Sequence, residues 1–169
     1  LSGIDLKGDW NGFPLTTQGA IQGDEQGNWH FQQLEIKNGP NSLAVNGNLD
    51  KEWSLAGKLR LSKLSLINPK WDGSIDGDFR LNGPAKAPVL ALRLAAPRIV
   101  MPGQLVRKLE LTGHATLNKT LPGQLQLNAE RWNINGTRMQ NVVLSLRGNA
   151  QQHQLLLKND GKQLNSKLN

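Results

Sequence analysis

Cysteine is absent from the chain, so it has neither a disulfide framework nor a thiolate metal site. Tyrosine is absent too, and aromatic residues make up only 5%. A β-barrel in a membrane carries girdles of aromatic side chains at the lipid boundaries. The five tryptophans, Trp10, Trp29, Trp53, Trp71 and Trp132, form no such girdle pattern. No apolar run approaches the roughly 18 residues that a membrane-spanning helix needs. No leader segment is visible, and Leu1-Ser2-Gly3-Ile4-Asp5-Leu6 already alternates like a strand, so both ends read as cuts inside a longer protein.

Chemistry is scarce as well. His30, His114 and His153 lie far apart, with no spacing that would hold a metal. Asp72, Asp76 and Asp78 form the one acidic cluster, with too few oxygen donors in a turn for a calcium loop. Ser74 sits between Gly73 and Ile75 without the Gly-x-Ser-x-Gly elbow of a hydrolase, and no phosphate-cradling loop is present. The expectation is a protein with no enzymatic activity, no cofactor and no metal. The 20 basic residues outnumber the 13 acidic ones, for a net charge of +7. They are scattered and not interleaved with aromatics, which argues against nucleic acid and is compatible with attraction to anionic membrane surfaces.

What the chain does have is alternation. Leu55, Leu59 and Leu61 share one face against Lys58 and Arg60, and Ile75, Phe79 and Leu81 oppose Asp76, Asp78 and Arg80. Leu109, Leu111 and Leu117 oppose Glu110 and Thr112, and Leu125 and Leu127 oppose Gln124 and Gln126. Shorter runs are Val45 with Leu49, Leu90-Leu92-Leu94, Trp132 with Ile134, Val142-Leu144-Leu146, and Leu155 with Leu157. Successive strand side chains point to opposite faces, so each run predicts a strand with one apolar and one wet side. Turn signals separate them at Asn11-Gly12, Asn38-Gly39-Pro40, Asp72-Gly73, Asn135-Gly136 and Asp160-Gly161. A short helix near Gly19 to Asp24 or a turn near Pro102 fits the remaining gaps.

Glycine recurs in the apolar register: Gly47, Gly57, Gly77, Gly113 and Gly123. Mid-strand glycine costs stability and leaves the inner face without a side chain, so these positions predict an inward bend of the sheet or a close approach. The fold expected is all-β: a curled antiparallel sheet, a taco- or U-shaped half-pipe of about 10–13 short strands, enclosing an apolar groove. Residues 1–169 form a single module of it. The leucine-rich face, rather than a mixed aromatic and β-branched core, points to a lining for lipid or other apolar cargo. Two other readings stand beside it: a chaperone that holds unfolded β-rich clients on the apolar face or a strand edge, and a plain structural spacer.

Two stretches carry a family resemblance. From Trp71 to Leu94, a glycine-bearing apolar strand ends in Gly83-Pro84, passes Pro88 and enters the next apolar strand. The preceding stretch from Trp53 to Pro69 has the same texture. The pattern resembles the TamB family of AsmA-like proteins, in the C-terminal part. The resemblance implies a periplasmic protein anchored in the inner membrane of a Gram-negative bacterium and reaching towards the outer membrane. It also implies partnership with the outer-membrane barrel TamA in the translocation and assembly module. Phospholipid is the cargo it implies, together with support for assembly of outer-membrane proteins.

Overall fold

The structure, a computed structural model, describes residues 3–160 and, by backbone alone, 162–168. The expected turn at Asp160-Gly161 therefore falls partly outside the described residues. Thirteen strands follow in chain order: β1 Gly3–Trp10, β2 Phe13–Gly23, β3 Trp29–Asn38, β4 Asn41–Leu49, β5 Glu52–Leu61, β6 Asp72–Gly73, β7 Ile75–Pro84, β8 Val89–Met101, β9 Gln104–Thr116, β10 Gly123–Ile134, β11 Thr137–Gly148, β12 His153–Asn159 and β13 Lys162–Leu168. Each pairs antiparallel with its sequence neighbours, except that β5 pairs with β7 and β6 pairs with β8. The sheet is open, with β1 and β13 at its two ends.

Local chemistry explains the hairpins. Asn11-Gly12 and Asn135-Gly136 both take left-handed backbone, with φ of 53° and 76°, and 48° and 89°. A tight hairpin turn whose twist matches its strands requires that conformation, and Asn and Gly adopt it most cheaply. Pro102-Gly103 turns β8 into β9, with Gly103 at φ 71°. Gly19 to Asp24 is no helix; the strand β2 runs through Gly23.

Asp72-Gly73 departs from expectation. It is the two-residue strand β6, paired to Val100 and Ile99 of β8, and not a hairpin turn. The reason is the length of β8. Its pairing with β7 stops at Ala95, leaving Ala96 to Met101 uncovered on that side until β6 pairs with Ile99 and Val100. Arg98 Nη1 donates to Asp72 Oδ2 at 2.5 Å, and that guanidinium holds the Asp72 carboxyl below its ordinary pKa.

Between β5 and β6 the chain leaves the sheet and lies over one end of its apolar face. Leu64 and Leu66, in a single 3-10 turn, are 2% and 4% exposed. Leu64 packs with Ala96 and Ile99, and Leu61, Trp71, Ile75 and Met101 close around them. The segment is clamped by Asn41, whose Oδ1 accepts from the Lys63 N–H at 2.9 Å while its Nδ2 donates to the Lys63 carbonyl at 3.0 Å. Asn41 is 6% exposed. Asn41→Ala would leave both groups of Lys63 without their partner, a loss of about 2 kcal/mol. Urea denaturation should show that loss, and limited proteolysis should show faster cleavage within residues 62–71.

The strands do not alternate without interruption. In β8 to β11 the inward residues run Ala96 then Ile99, Leu109 then Val106, Ala129 then Trp132, and Val142 then Met139. Each step spans three residues instead of two, so two consecutive residues face outward at one place in each strand. Lys108 and Asn141 take φ of 49° and 51° there, and Lys108 is ion-paired with Glu130 across the break. Residues from both arms of the break share one cluster, in which Val106, Ala129 and Val142 are buried against Leu109, Leu127, Trp132 and Met139. The four strands therefore fold towards their apolar side along a single line. A similar break lies in β3 between Phe31 and Leu34, with Gln33 at φ 47°.

Burial is shallow everywhere else. Only eight hydrophobic residues among those described are buried, and the accessible surface is 11258 Å². A compact monomer of 18.6 kDa would expose about 8,200 Å². The excess is what an open curled sheet leaves in contact with solvent.

Candidate apolar groove

Antiparallel register turns the separate leucine runs into rows that cross the sheet. One row runs Leu43, Leu59, Gly77, Leu94, Leu111, Leu127, Leu144 and Leu157, each directly opposite the next. Beside it runs Val45, Gly57, Phe79, Leu92, Gly113, Leu125, Leu146 and Leu155. A third runs Gly47, Leu55, Leu81, Leu90, Ala115, Gly123, Gly148 and His153. These rows span eight strands, so at about 4.8 Å per strand spacing they run for roughly 34 Å.

Most of the residues expected to line a groove sit on this face. Twenty of the twenty-two are half-buried, Leu146 is 36% exposed, and Val142 is 1% exposed. Val142 is thus a floor residue held in the bend and presents no surface to a ligand. Leu61 and Ile75 face each other beneath the 62–71 segment, Leu49 pairs with Trp29, and Ile134 lies at the far end of β10. Leu117 falls just past the end of β9, its N–H donating to the Pro88 carbonyl at 2.8 Å.

The glycines occupy the apolar register but not the lines where alternation breaks. Their neighbours explain them. A Cβ on Gly57 would meet the ring of Phe79, one on Gly77 would meet Leu94, and one on Gly113 would lie 2.7 Å from Leu125 Cδ1. At these three positions a large side chain of the adjacent strand lies over the glycine. At Gly47 and Gly123 the obstacle is the neighbouring strand itself: the Ser54 carbonyl in one case, the His114 carbonyl and Ala115 in the other.

Two concavities stand out among the described residues, on opposite faces. On the apolar face, Leu90, Leu92, Leu125 and Leu146 line a cavity of about 280 Å³ whose wall is almost wholly hydrocarbon, closed at one end by Leu121 and Ala150. The other, of about 1270 Å³, lies on the polar face, with Lys58, Arg80, Arg93 and Arg147 in its walls. Alternation gave no sign of it, because side-chain period reports which residues share a face and not how that face curves.

The polar candidates scatter. His30 faces Asn48, His114 is on the polar face and His153 on the apolar one. Asp72 is held by Arg98, and Asp76 pairs with Arg60 at 3.4 Å. Among the described residues no three metal-ligating side chains converge, and no helix is long and apolar enough to cross a membrane.

Comparison with known proteins supplies the lineage. The sequence model described as "TamB, N-terminal domain" matches residues 1–169, which moves the resemblance from the C-terminal part, where it was expected, to the N-terminal domain. The translocation and assembly module subunit TamB of Haemophilus influenzae is 26% identical over 159 residues, covering 94% of this chain. The chain spans 12% of that relative's length. No solved structure matches. With the family model covering the chain from end to end, and the open sheet agreeing with the fold expected from the residue pattern, this chain belongs to the TamB family.

Proposed function

We propose that this chain is one groove-forming module of a longer, inner-membrane-anchored periplasmic protein that carries phospholipid, or another apolar cargo, towards the outer membrane. In this reading the module acts with the outer-membrane barrel TamA and supports assembly of outer-membrane proteins. It binds and conducts, with no catalytic step. The observation that carries the reading is the set of leucine rows, in register across eight strands and left half-buried by an open sheet. A structural spacer would close such a face into a core. Covering a few hundred Å² of it with acyl chain would contribute several kcal/mol, at about 25 cal/mol per Å².

Photocrosslinking tests this directly in the full-length protein in cells. A photoreactive phenylalanine analogue at Leu92 or Leu111 should yield phospholipid adducts, and the same probe at Arg93 or Glu110, one residue away on the other face, should yield few. Equal lipid labelling of both faces, or none on either, would sink the proposal. Adducts to unfolded outer-membrane proteins in place of lipid at Leu92 and Leu111 would favour the chaperone reading.

A further inference from the structure

The polar face carries a groove of its own, and the leucine rows do not account for it. Its cavity of about 1270 Å³ is walled by two rows of side chains that point away from the apolar face, from β3 on one side to β12 on the other. Nine strands bound it, which at about 4.8 Å per spacing is roughly 38 Å of length. Spread over that length, the volume leaves a channel on the order of 30 Å² in section. A groove of that length and section suits one extended chain.

Its electrostatics are uneven. Lys58, Asp78 and Arg93 stand directly opposite one another on β5, β7 and β8, and Arg80 rises from the facing wall on β7. None of these four is in an ion pair among the described residues. Three cations thus surround one carboxylate on three consecutive strands. The other acid in the walls, Glu35, is already engaged by Lys37 at 2.8 Å. The remaining lining is rich in amides and hydroxyls, such as Asn46, Gln126 and Thr112, and its one ring is the His114 imidazole, since that of Phe79 lies over Gly57 on the opposite face.

These features select among anions. Sugars and single-stranded nucleic acids are gripped largely by stacking on successive aromatic rings, and the groove offers a single imidazole, that of His114. A lipid needs continuous hydrocarbon for its tails, and the apolar residues whose side chains face this groove are three alanines and Leu156. Headgroups of cargo in the leucine groove lie across the sheet from it. An extended polypeptide meets what is offered: amide and hydroxyl partners for its backbone along the walls, and a cluster of cations on β5, β7 and β8 for acidic side chains. We propose that the polar groove is a docking site for an extended acidic polypeptide segment of about eleven residues, the number that spans roughly 38 Å at about 3.4 Å each.

Fluorescence anisotropy with a labelled peptide of alternating serine and glutamate, about a dozen residues long, tests it. The peptide should bind the chain, while its serine–lysine counterpart should not. The triple variant Lys58→Gln, Arg80→Gln, Arg93→Gln should bind it about tenfold more weakly, as expected from three solvent-exposed charge contacts at about 0.5 kcal/mol each. A second triple, Lys7→Gln, Lys86→Gln, Lys119→Gln, removes equal charge outside the groove and should stay within about twofold of the parent. All substituted positions are exposed, and circular dichroism verifies the sheet. Leu111→Arg, on the other face, should leave peptide binding intact, which separates this site from the lipid groove. Absence of binding, equal loss in the two triples, loss in Leu111→Arg, or dextran sulfate binding as tightly with the same dependence on the first triple would each overturn the proposal.

Discussion

Replacing Gly47 with valine should destabilise the sheet by about 3 kcal/mol or more, read as a lowered urea midpoint. Gly47 stands in β4 at φ +130°, a conformation that L side chains rarely adopt, and its missing Cβ would strike the backbone carbonyl of Ser54 and the Cα of Leu55. Neither obstacle can rotate away, because both belong to the next strand of the ladder. A β-branched side chain would have to push β5 off β4 at Leu55, and the displacement would propagate along the row through Leu81 and Leu90. Gly57→Ala is the informative contrast. There the obstacle is the ring of Phe79, which can swing into the open groove, so the cost should be smaller. A Gly47→Val protein as stable as the parent would mean that β4 and β5 do not pair as described.

The reading of sequence against fold divides along a physical line. Which residues share a face was legible, because a strand reverses direction at every residue and leucines at 55, 59 and 61 or at 90, 92 and 94 can only point one way. The hairpins at Asn11-Gly12 and Asn135-Gly136 were legible because left-handed backbone selects its residues. The fold lines were not. They depend on left-handed conformations at Gln33, Lys108 and Asn141, and neither lysine nor glutamine announces one. Asp72-Gly73 was misread as a turn because its role is set by a vacancy beside β8, thirty residues further on. Close approach at the inward glycines was legible, but not which side chain or backbone of the adjacent strand makes it at each. The curl of the sheet was legible, but the concavity on its polar face was not. The polar groove arises from how twelve strands accumulate twist, and no single strand carries that information.

The leucine rows make the strongest functional prediction. Leu111 lies between Leu94 and Leu127 in the first of the three rows, half-buried, with hydrocarbon on both flanking strands. Arginine there would place a charge in the path an acyl chain must follow. Displacing hydration from that charge costs on the order of 2–3 kcal/mol, enough to weaken lipid occupancy at that point by about 30-fold or more. Fold stability should suffer far less, because the side chain is already partly wet and arginine can carry its head to solvent. Leu59→Arg, three strands away in the same row, should behave alike, since a continuous conduit fails wherever it is interrupted. Glu110→Arg supplies the control: it changes charge even more, one residue away, on the opposite face. Lipid recovered with the purified full-length protein, and outer-membrane integrity in cells that depend on it, should fall for Leu111→Arg and Leu59→Arg and hold for Glu110→Arg. If all three variants kept full lipid occupancy while folding normally, the leucine rows would be no conduit. If Glu110→Arg failed as badly as the other two, added positive charge alone would explain the loss, and the face would carry no information about cargo.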